Sequence, residues 1–218
     1  MTELTIAIAK GRLQAETLDL LTSAGLVFSD EALSSRRLAI EDESGRFRLI
    51  FVKPADVPVY VERGIADCGI VGRDVLLESD ANLLQPLSVN LGACRIVVAA
   101  KNEAAVRQSG MLKVATKYPR IAARHFGARG VAVDLIELSG SVELAAVLGL
   151  ADCIVDLVET GKTLEENDLR VVDVITESSA RVVVNRASYQ LKAETVSQFI
   201  KSLEKTIRRH DGGERSYR

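Results

Sequence analysis

The chain contains no tryptophan, and its aromatic content is only 4% over 218 residues. Aromatic platforms for stacking single-stranded bases are therefore not expected. Histidine occurs twice, at His125 and His210, too few for a histidine-based metal site. The three cysteines, Cys68, Cys94 and Cys153, are odd in number and far apart, with no CxxC pair. That spacing excludes a zinc ribbon or a disulfide framework and suits small buried thiols in a reducing cytoplasm. No apolar run approaches the ~20 residues of a membrane helix. The opening residues MTELTIAIAKGR have no basic leader before their short apolar run, so a signal peptide is not expected. Charge is balanced, with 28 Lys plus Arg against 30 Asp plus Glu and a net charge of −2. This argues against a general nucleic-acid surface while allowing a local basic patch.

What is present is a 47% hydrophobic chain with room for one large domain or two small ones. Ile154, Val155, Leu157 and Val158 read as a short buried strand. Glu159-Thr160-Gly161-Lys162-Thr163 turns the chain, and Leu164 to Asn167 reads as the first turn of a helix. Backbone N–H groups and the positive end of the helix dipole then converge beside two hydroxyls and a lysine. Gly161-Lys162-Thr163 is not a P-loop, because Asp156 occupies the position that requires glycine. The plainer alternative is an αβ turn with an exposed lysine.

The rest of the chain alternates strand and helix. Strands are expected at Leu4–Ala9, Leu38–Glu41, Phe47–Val52, Cys68–Val71, Leu83–Val89, Arg95–Ala100, Leu112–Ala115, Val133–Leu138, Val171–Ile175 and Arg181–Asn185. Helices are expected from Leu13 to Ala24, after an Asp56 cap, over Val75–Glu78, over Pro119–Phe126, over Val142–Leu148 behind a Ser141 cap, and over Ala193–Arg208. The tail from His210 reads as frayed. Lys10 and Arg12 follow the first strand at once, where ligands bind in open α/β sheets. Arg63-Gly64-Ile65-Ala66-Asp67-Cys68-Gly69-Ile70-Val71 is echoed by Leu148-Gly149-Leu150-Ala151-Asp152-Cys153-Ile154-Val155. The echo suggests two α/β lobes, residues 1–90 plus 180–218 and residues 91–179, with crossovers near Asn90–Gly92 and Glu177–Ala180. The last helix is expected to return to the first lobe.

The turn also has the pattern D-x-V-x-T-G-x-T, which resembles the phosphoribosyl-pyrophosphate (PRPP) loop of phosphoribosyltransferases, with Leu157 where a second acid is usual. Further blocks, AKGRL at Ala9–Leu13, SSRRL at Ser34–Leu38, ADVPVYVERGIADCGIVGRDVL at Ala55–Leu76, ATKYP at Ala115–Pro119, SGSVELA at Ser139–Ala145 and GLADCIVDLVETGKTL at Gly149–Leu164, resemble the ATP phosphoribosyltransferase family in order along nearly the whole chain. The resemblance is to its short form, which lacks an added C-terminal regulatory domain and works with a separate subunit similar to histidyl-tRNA synthetase.

The resemblance implies an α/β fold of two three-layer lobes like type II periplasmic binding proteins, with a ligand cleft between them. It implies transfer of the phosphoribosyl group of PRPP to N1 of the adenine of ATP, releasing pyrophosphate, with Mg²⁺ carried mainly on substrate phosphates. It places PRPP on Asp156, Glu159, Thr160, Gly161, Lys162 and Thr163. ATP falls to Lys10, Gly11, Arg12, Arg73, Asp74, Lys117 and Tyr118, with Arg12 and Arg36 as catalytic cations at the departing pyrophosphate. Glu143 is a candidate near ribose or metal, Arg37 a surface residue, Asp74 alternatively a helix cap, and Cys94 a packed thiol. A homodimer that joins regulatory subunits in a larger hetero-oligomer, a cytoplasmic location, and no nucleic-acid or membrane partner complete the expectation. The competing reading is a non-catalytic anion- or effector-binding module. Secretion signals and a leading helix-turn-helix, which transporters and regulators on such lobes carry, are not seen ahead of the first strand.

Overall fold

The computed structural model describes residues 3–106 and 110–214. The chain divides into two compact units, Met1–Gly92 with Ser179–Arg218, and Ala93–Ser178.

The first unit is built from β1 (Leu4–Ala9), α1 (Gln14–Ser23), α2 (Asp30–Ser34), β2 (Ala39–Glu41), β3 (Phe47–Val52), α3 (Val57–Glu62), β4 (Cys68–Gly72), α4 (Arg73–Ser79) and β5 (Leu84–Ser88). The second is built from β6 (Cys94–Ala100), α5 (Glu103–Val106), β7 (Leu112–Thr116), α6 (Pro119–Gly127), β8 (Val133–Glu137), α7 (Glu143–Val147), β9 (Cys153–Val158), α8 (Lys162–Glu166) and β10 (Arg170–Ser178). The chain then re-enters the first unit as β11 (Ala180–Val184), α9 (Arg186–Leu191) and α10 (Ala193–Glu214).

The two sheets follow one plan. The first has the order β2-β3-β1-β4-β11-β5 and the second, read from the same side, β8-β7-β9-β6-β10. In each, three parallel strands are followed by an antiparallel fourth, β11 on β4 and β6 on β9. In each, the fifth strand is antiparallel to the fourth. The fourth strand is the one reached across a crossover in both units. β2 is an extra edge, made by the hairpin with β3. The two crossovers meet within the first unit, where Ala180 N donates to Leu91 O and Val89 N to Ala180 O.

Central strands are apolar on both faces because helices cover both. Leu4, Ile6 and Ile8 of β1 pack with Leu20 and Leu21 of α1 and with Val196, Phe199 and Leu203 of α10. Ala7 and Ala9 of β1 face Val57 and Val61 of α3 and Leu76 of α4. Each fully buried aliphatic side chain contributes about 1.5–3 kcal/mol. α10 therefore completes the first core although it is farthest in sequence from β1. In the second unit, Val97, Ala99, Ala115 and Ile154 pack under α7 and α8 through Val142, Ala145, Ala146 and Leu164. α6 buries Ile121, Ala122, His125 and Phe126.

Several local expectations are corrected. Asp56 makes no side-chain cap, because a 3-10 turn over Pro54–Asp56 leads directly into α3. Ser141 does not cap α7; it sits at φ +48, and Val142 holds the N-cap position without a side-chain bond. Asp74 is not a cap either, since Gly72 precedes the helix and Asp74 lies inside its first turn. The last helix continues through Glu214 rather than fraying from His210. α8 starts at Lys162, two residues earlier than expected. The short helices α2, α5 and α9 had no clear apolar periodicity to announce them.

Candidate functional site

In an antiparallel neighbour the start of the strand lies beside the end of its partner. That rule sorts the candidate residues of each unit by the end of the sheet they occupy.

In the first unit, Lys10, Gly11 and Arg12 follow β1, are exposed, and begin where Lys10 N donates to Val52 O at 2.8 Å. Arg73 follows β4, and its N–H donates to Ser179 O at 3.0 Å. Arg36 precedes β2, whose pairing sets Ala39 opposite Ile50 near the end of β3. Phe51 N donates to Leu38 O, which holds this exposed Arg36-Arg37 loop at the same end. Lys10, Arg12, Arg36 and Arg73 therefore share the carboxyl end of the parallel strands, where open α/β sheets bind ligands. Arg12 also reaches the crossover, its Nη2 donating to Gly92 O at 3.4 Å.

Asp74 lies in the first turn of α4. It is buried, and its carboxylate lies over Gly72, where a β-carbon would collide with Oδ1. It shapes the start of α4 rather than presenting charge outward.

In the second unit, β9 delivers Asp156 half-buried, with Oδ1 accepting from Leu157 N at 2.8 Å. Glu159, Thr160, Lys162 and Thr163 are exposed beyond its end. Gly161 sits at φ +86, a left-handed conformation that L side chains rarely adopt, so the turn into α8 requires glycine there. Thr160 Oγ1 accepts from Lys162 N at 3.4 Å, folding the hydroxyl over the helix start. Lys162 Nζ lies 3.9 Å from Glu166 Oε1, a pair so exposed that it contributes little. Asn167 Nδ2 donates to Thr163 O at 2.9 Å, which closes the short helix from the other side.

β7 ends beside this turn. Thr116, fully buried, donates from Oγ1 to Val155 O at 2.7 Å and accepts from Tyr118 N at 2.8 Å. Lys117 is exposed, with Nζ 5.0 Å from the Tyr118 ring centroid. Tyr118 itself is buried, so its ring is packed beneath this end of the sheet. Glu143 is half-buried at the start of α7, after the β8 end. Cys94 is packed as expected. Among the described residues no group of three or more His, Cys, Asp or Glu is arranged to hold a metal ion. No helix of the described residues is long and apolar enough to cross a membrane.

One cation at the same end was not singled out from the sequence. Arg181 is the second residue of β11, and its register sets it opposite Val71 near the end of β4 and Ser88 at the end of β5. A lone arginine at a strand start carries no motif; only the antiparallel pairing reveals its place.

Two α/β units, one with a row of cations at its carboxyl end and one with a Thr-Gly-Lys-Thr turn there, define a protein that handles phosphorylated ligands. The family model "HisG: ATP phosphoribosyltransferase" matches residues 53–205. An ATP phosphoribosyltransferase of Chromobacterium violaceum is 49% identical over 199 residues, covering 89% of this chain and 93% of the relative. One from Oceanobacillus iheyensis is 42% identical, covering 95% of this chain and all (100%) of the relative. A solved ATP phosphoribosyl transferase (HisG:HisZ) complex from Thermotoga maritima matches with TM-score 0.85 and 38% identity, covering 95% of this chain and 98% of that one. The chain belongs to the ATP phosphoribosyltransferase family. It is a pentosyltransferase that transfers the phosphoribosyl group of PRPP to N1 of the adenine of ATP, the first step of histidine biosynthesis.

Proposed function

We propose that PRPP is held by the turn after β9 and ATP by the basic end of the first unit. The observation that carries this is the Gly161 turn, where a left-handed residue, the Thr160 hydroxyl and the start of α8 converge. Thr160, Gly161, Lys162 and Thr163 take the 5-phosphate of PRPP, and Asp156 and Glu159 approach its ribose. Lys10, Gly11, Arg12 and Arg73 take phosphates of ATP, with Lys117 as a further cation. Tyr118 supports Lys117 from below, and Asp74 supports the Arg73 turn.

In the reaction, N1 of adenine forms a bond to C1 of the ribose as the bond from C1 to the pyrophosphate oxygen breaks. The electron pair leaves on pyrophosphate, so negative charge grows there. Arg12 and Arg36 neutralise that charge, and no side-chain nucleophile is needed because adenine fills that role. Positioning and charge stabilisation then carry most of the rate. Mg²⁺ fits as a substrate-borne ion, since it takes oxygen ligands and is bound by one or two carboxylates plus phosphates. Asp156, Glu159 and Glu143 are the carboxylates that would approach it, and when bound it would neutralise phosphate charge.

The family match extends to a partner. This chain covers nearly the full length of a protein solved as part of a two-component complex. We propose that it likewise joins a regulatory subunit, as a homodimer within a larger hetero-oligomer, and that histidine acts through that subunit. The substrates and the three free buried thiols suit a cytoplasmic location.

Arg36→Ala tests the catalytic part. Turnover should fall about 10²–10³-fold, by analogy with loss of an oxyanion donor, with smaller changes in ATP and PRPP affinity. Normal turnover with only a raised KM would assign Arg36 to ground-state binding.

A further inference from the structure

We propose that Arg181 binds substrate phosphate, forming with Arg73 an anion subsite beyond the carboxyl end of β4. The inference rests on the reading that polyphosphates occupy this end of the first unit, and it adds a residue to that reading.

Three geometric observations carry it. First, β11 runs antiparallel to β4 and β5, so Arg181, its second residue, lies near the carboxyl end of both, opposite Val71 and Ser88. Second, Ser179 serves both arginines. Its carbonyl accepts from Arg73 N at 3.0 Å, and its hydroxyl accepts from Arg181 Nη1 at 3.1 Å. Ser179 thereby ties the Arg73 main chain and the Arg181 guanidinium to one residue. Third, among the described residues the Arg181 contacts are to neutral acceptors and fall on Nη1: Ser88 Oγ, Ser179 Oγ and, at 3.5 Å, Ala180 O. A guanidinium has five donors in a planar fork, and such a tether holds one corner while orienting the others.

The electrostatics agree with the geometry. Burial, and then the Arg73 charge, depress the Arg181 pKa. A phosphate group reverses the sign of that interaction, because each arginine can then donate paired hydrogen bonds to it. The ligand class is a polyphosphate, and both ATP and PRPP have that chemistry.

The test is calorimetric titration of ATP and PRPP, separately, into the whole wild-type chain, R181Q and R181K. R181Q should weaken at least one of them by about tenfold or more, equivalent to losing one charge-assisted contact. R181K should recover a large part of that loss, and the wild-type advantage should shrink as salt is raised. Whichever substrate responds identifies whose phosphates occupy the subsite. Unchanged affinity for both substrates in R181Q would overturn the proposal. Equal losses in R181Q and R181K would also overturn it, because they would make Arg181 a tether for Ser88 and Ser179 rather than an anion ligand. A Gly161→Ala titration with PRPP checks the loop assignment independently. Failure there with a lasting R181Q effect on ATP separates the two readings.

Discussion

Asp152 and Lys113 exchange two hydrogen bonds: Asp152 N donates to Lys113 O at 2.9 Å, and Lys113 N donates to Asp152 Oδ2 at 2.8 Å. Asp67 and Thr5 do the same in the first unit, at 2.8 Å and 2.9 Å. Each aspartate ends the turn after a helix and clamps the neighbouring parallel strand before its own strand begins. The resemblance between the two sequence segments is therefore a repeated device, and it sets the register that carries each strand to its ligand-binding end.

The two copies differ in depth, which gives a stability prediction. Asp67 is buried and also accepts from Ser188 Oγ at 2.7 Å and Lys192 Nζ at 2.8 Å, tying α9 and α10 to β4. Asp152 is exposed. Hydrogen bonds to charged groups contribute about 1.5–3 kcal/mol each, less when exposed. Asp67→Ala should cost about 3 kcal/mol and Asp152→Ala about 1 kcal/mol. Urea unfolding of the two variants measures this, and equal costs would contradict it.

His125 supplies a pH prediction. Its Nδ1 faces Arg129 Nη1 at 3.0 Å, so the neutral ring carries its hydrogen on Nε2, 3.3 Å from Asp173 Oδ2. Burial and the Arg129 charge lower its pKa, against an opposing pull from Asp173. A depressed folded-state pKa means that the unfolded chain takes up the proton first. The contribution is therefore complete above the unfolded value of about 6.5 and is lost as pH falls below it toward the folded value. His125→Gln should lose less stability than wild type between about pH 7 and pH 5. Parallel losses in the two proteins would remove His125 from the account.

The cysteines should be chemically silent in the folded chain. Burial pushes Cys68 and Cys153 up to about 12, with a smaller push from the adjacent Asp67 and Asp152. At mildly alkaline pH the native protein should resist alkylation at both, while denaturant should release rapid labelling. Fast labelling of either thiol in the native state would show that its strand opens.

The alternation of strand and helix was legible because central strands such as Leu4–Ala9 and Cys153–Val158 are short, β-branched and bounded by turns. The Gly161 turn was legible because glycine is required by its backbone geometry. The echo was legible through Val71 and Val155, with Gly69 the one residue that has no counterpart. The reason is α3, which approaches so closely that a β-carbon at Gly69 would lie 2.8 Å from Val57 Cγ1. Short helices such as α9 were missed because tertiary contacts, here through Ser188 and Asn185, hold them more than any periodic pattern. The burial of Tyr118 and Asp74 and the placement of Arg181 depend on strand pairing and packing that local sequence does not encode.

The division of labour between the units is the central claim, and paired binding measurements on Gly161→Ala and Thr163→Ala test it most directly. Alanine at Gly161 has space, its β-carbon meeting only Val158 Cγ1 at 3.9 Å, so the change acts through the φ +86 backbone. That strain costs about 1–2 kcal/mol and displaces the turn without emptying the core. Titration should show PRPP affinity reduced about tenfold or more in each variant, with ATP affinity unchanged. Retained PRPP affinity in both variants, or ATP affinity lost in place of it, would contradict the account.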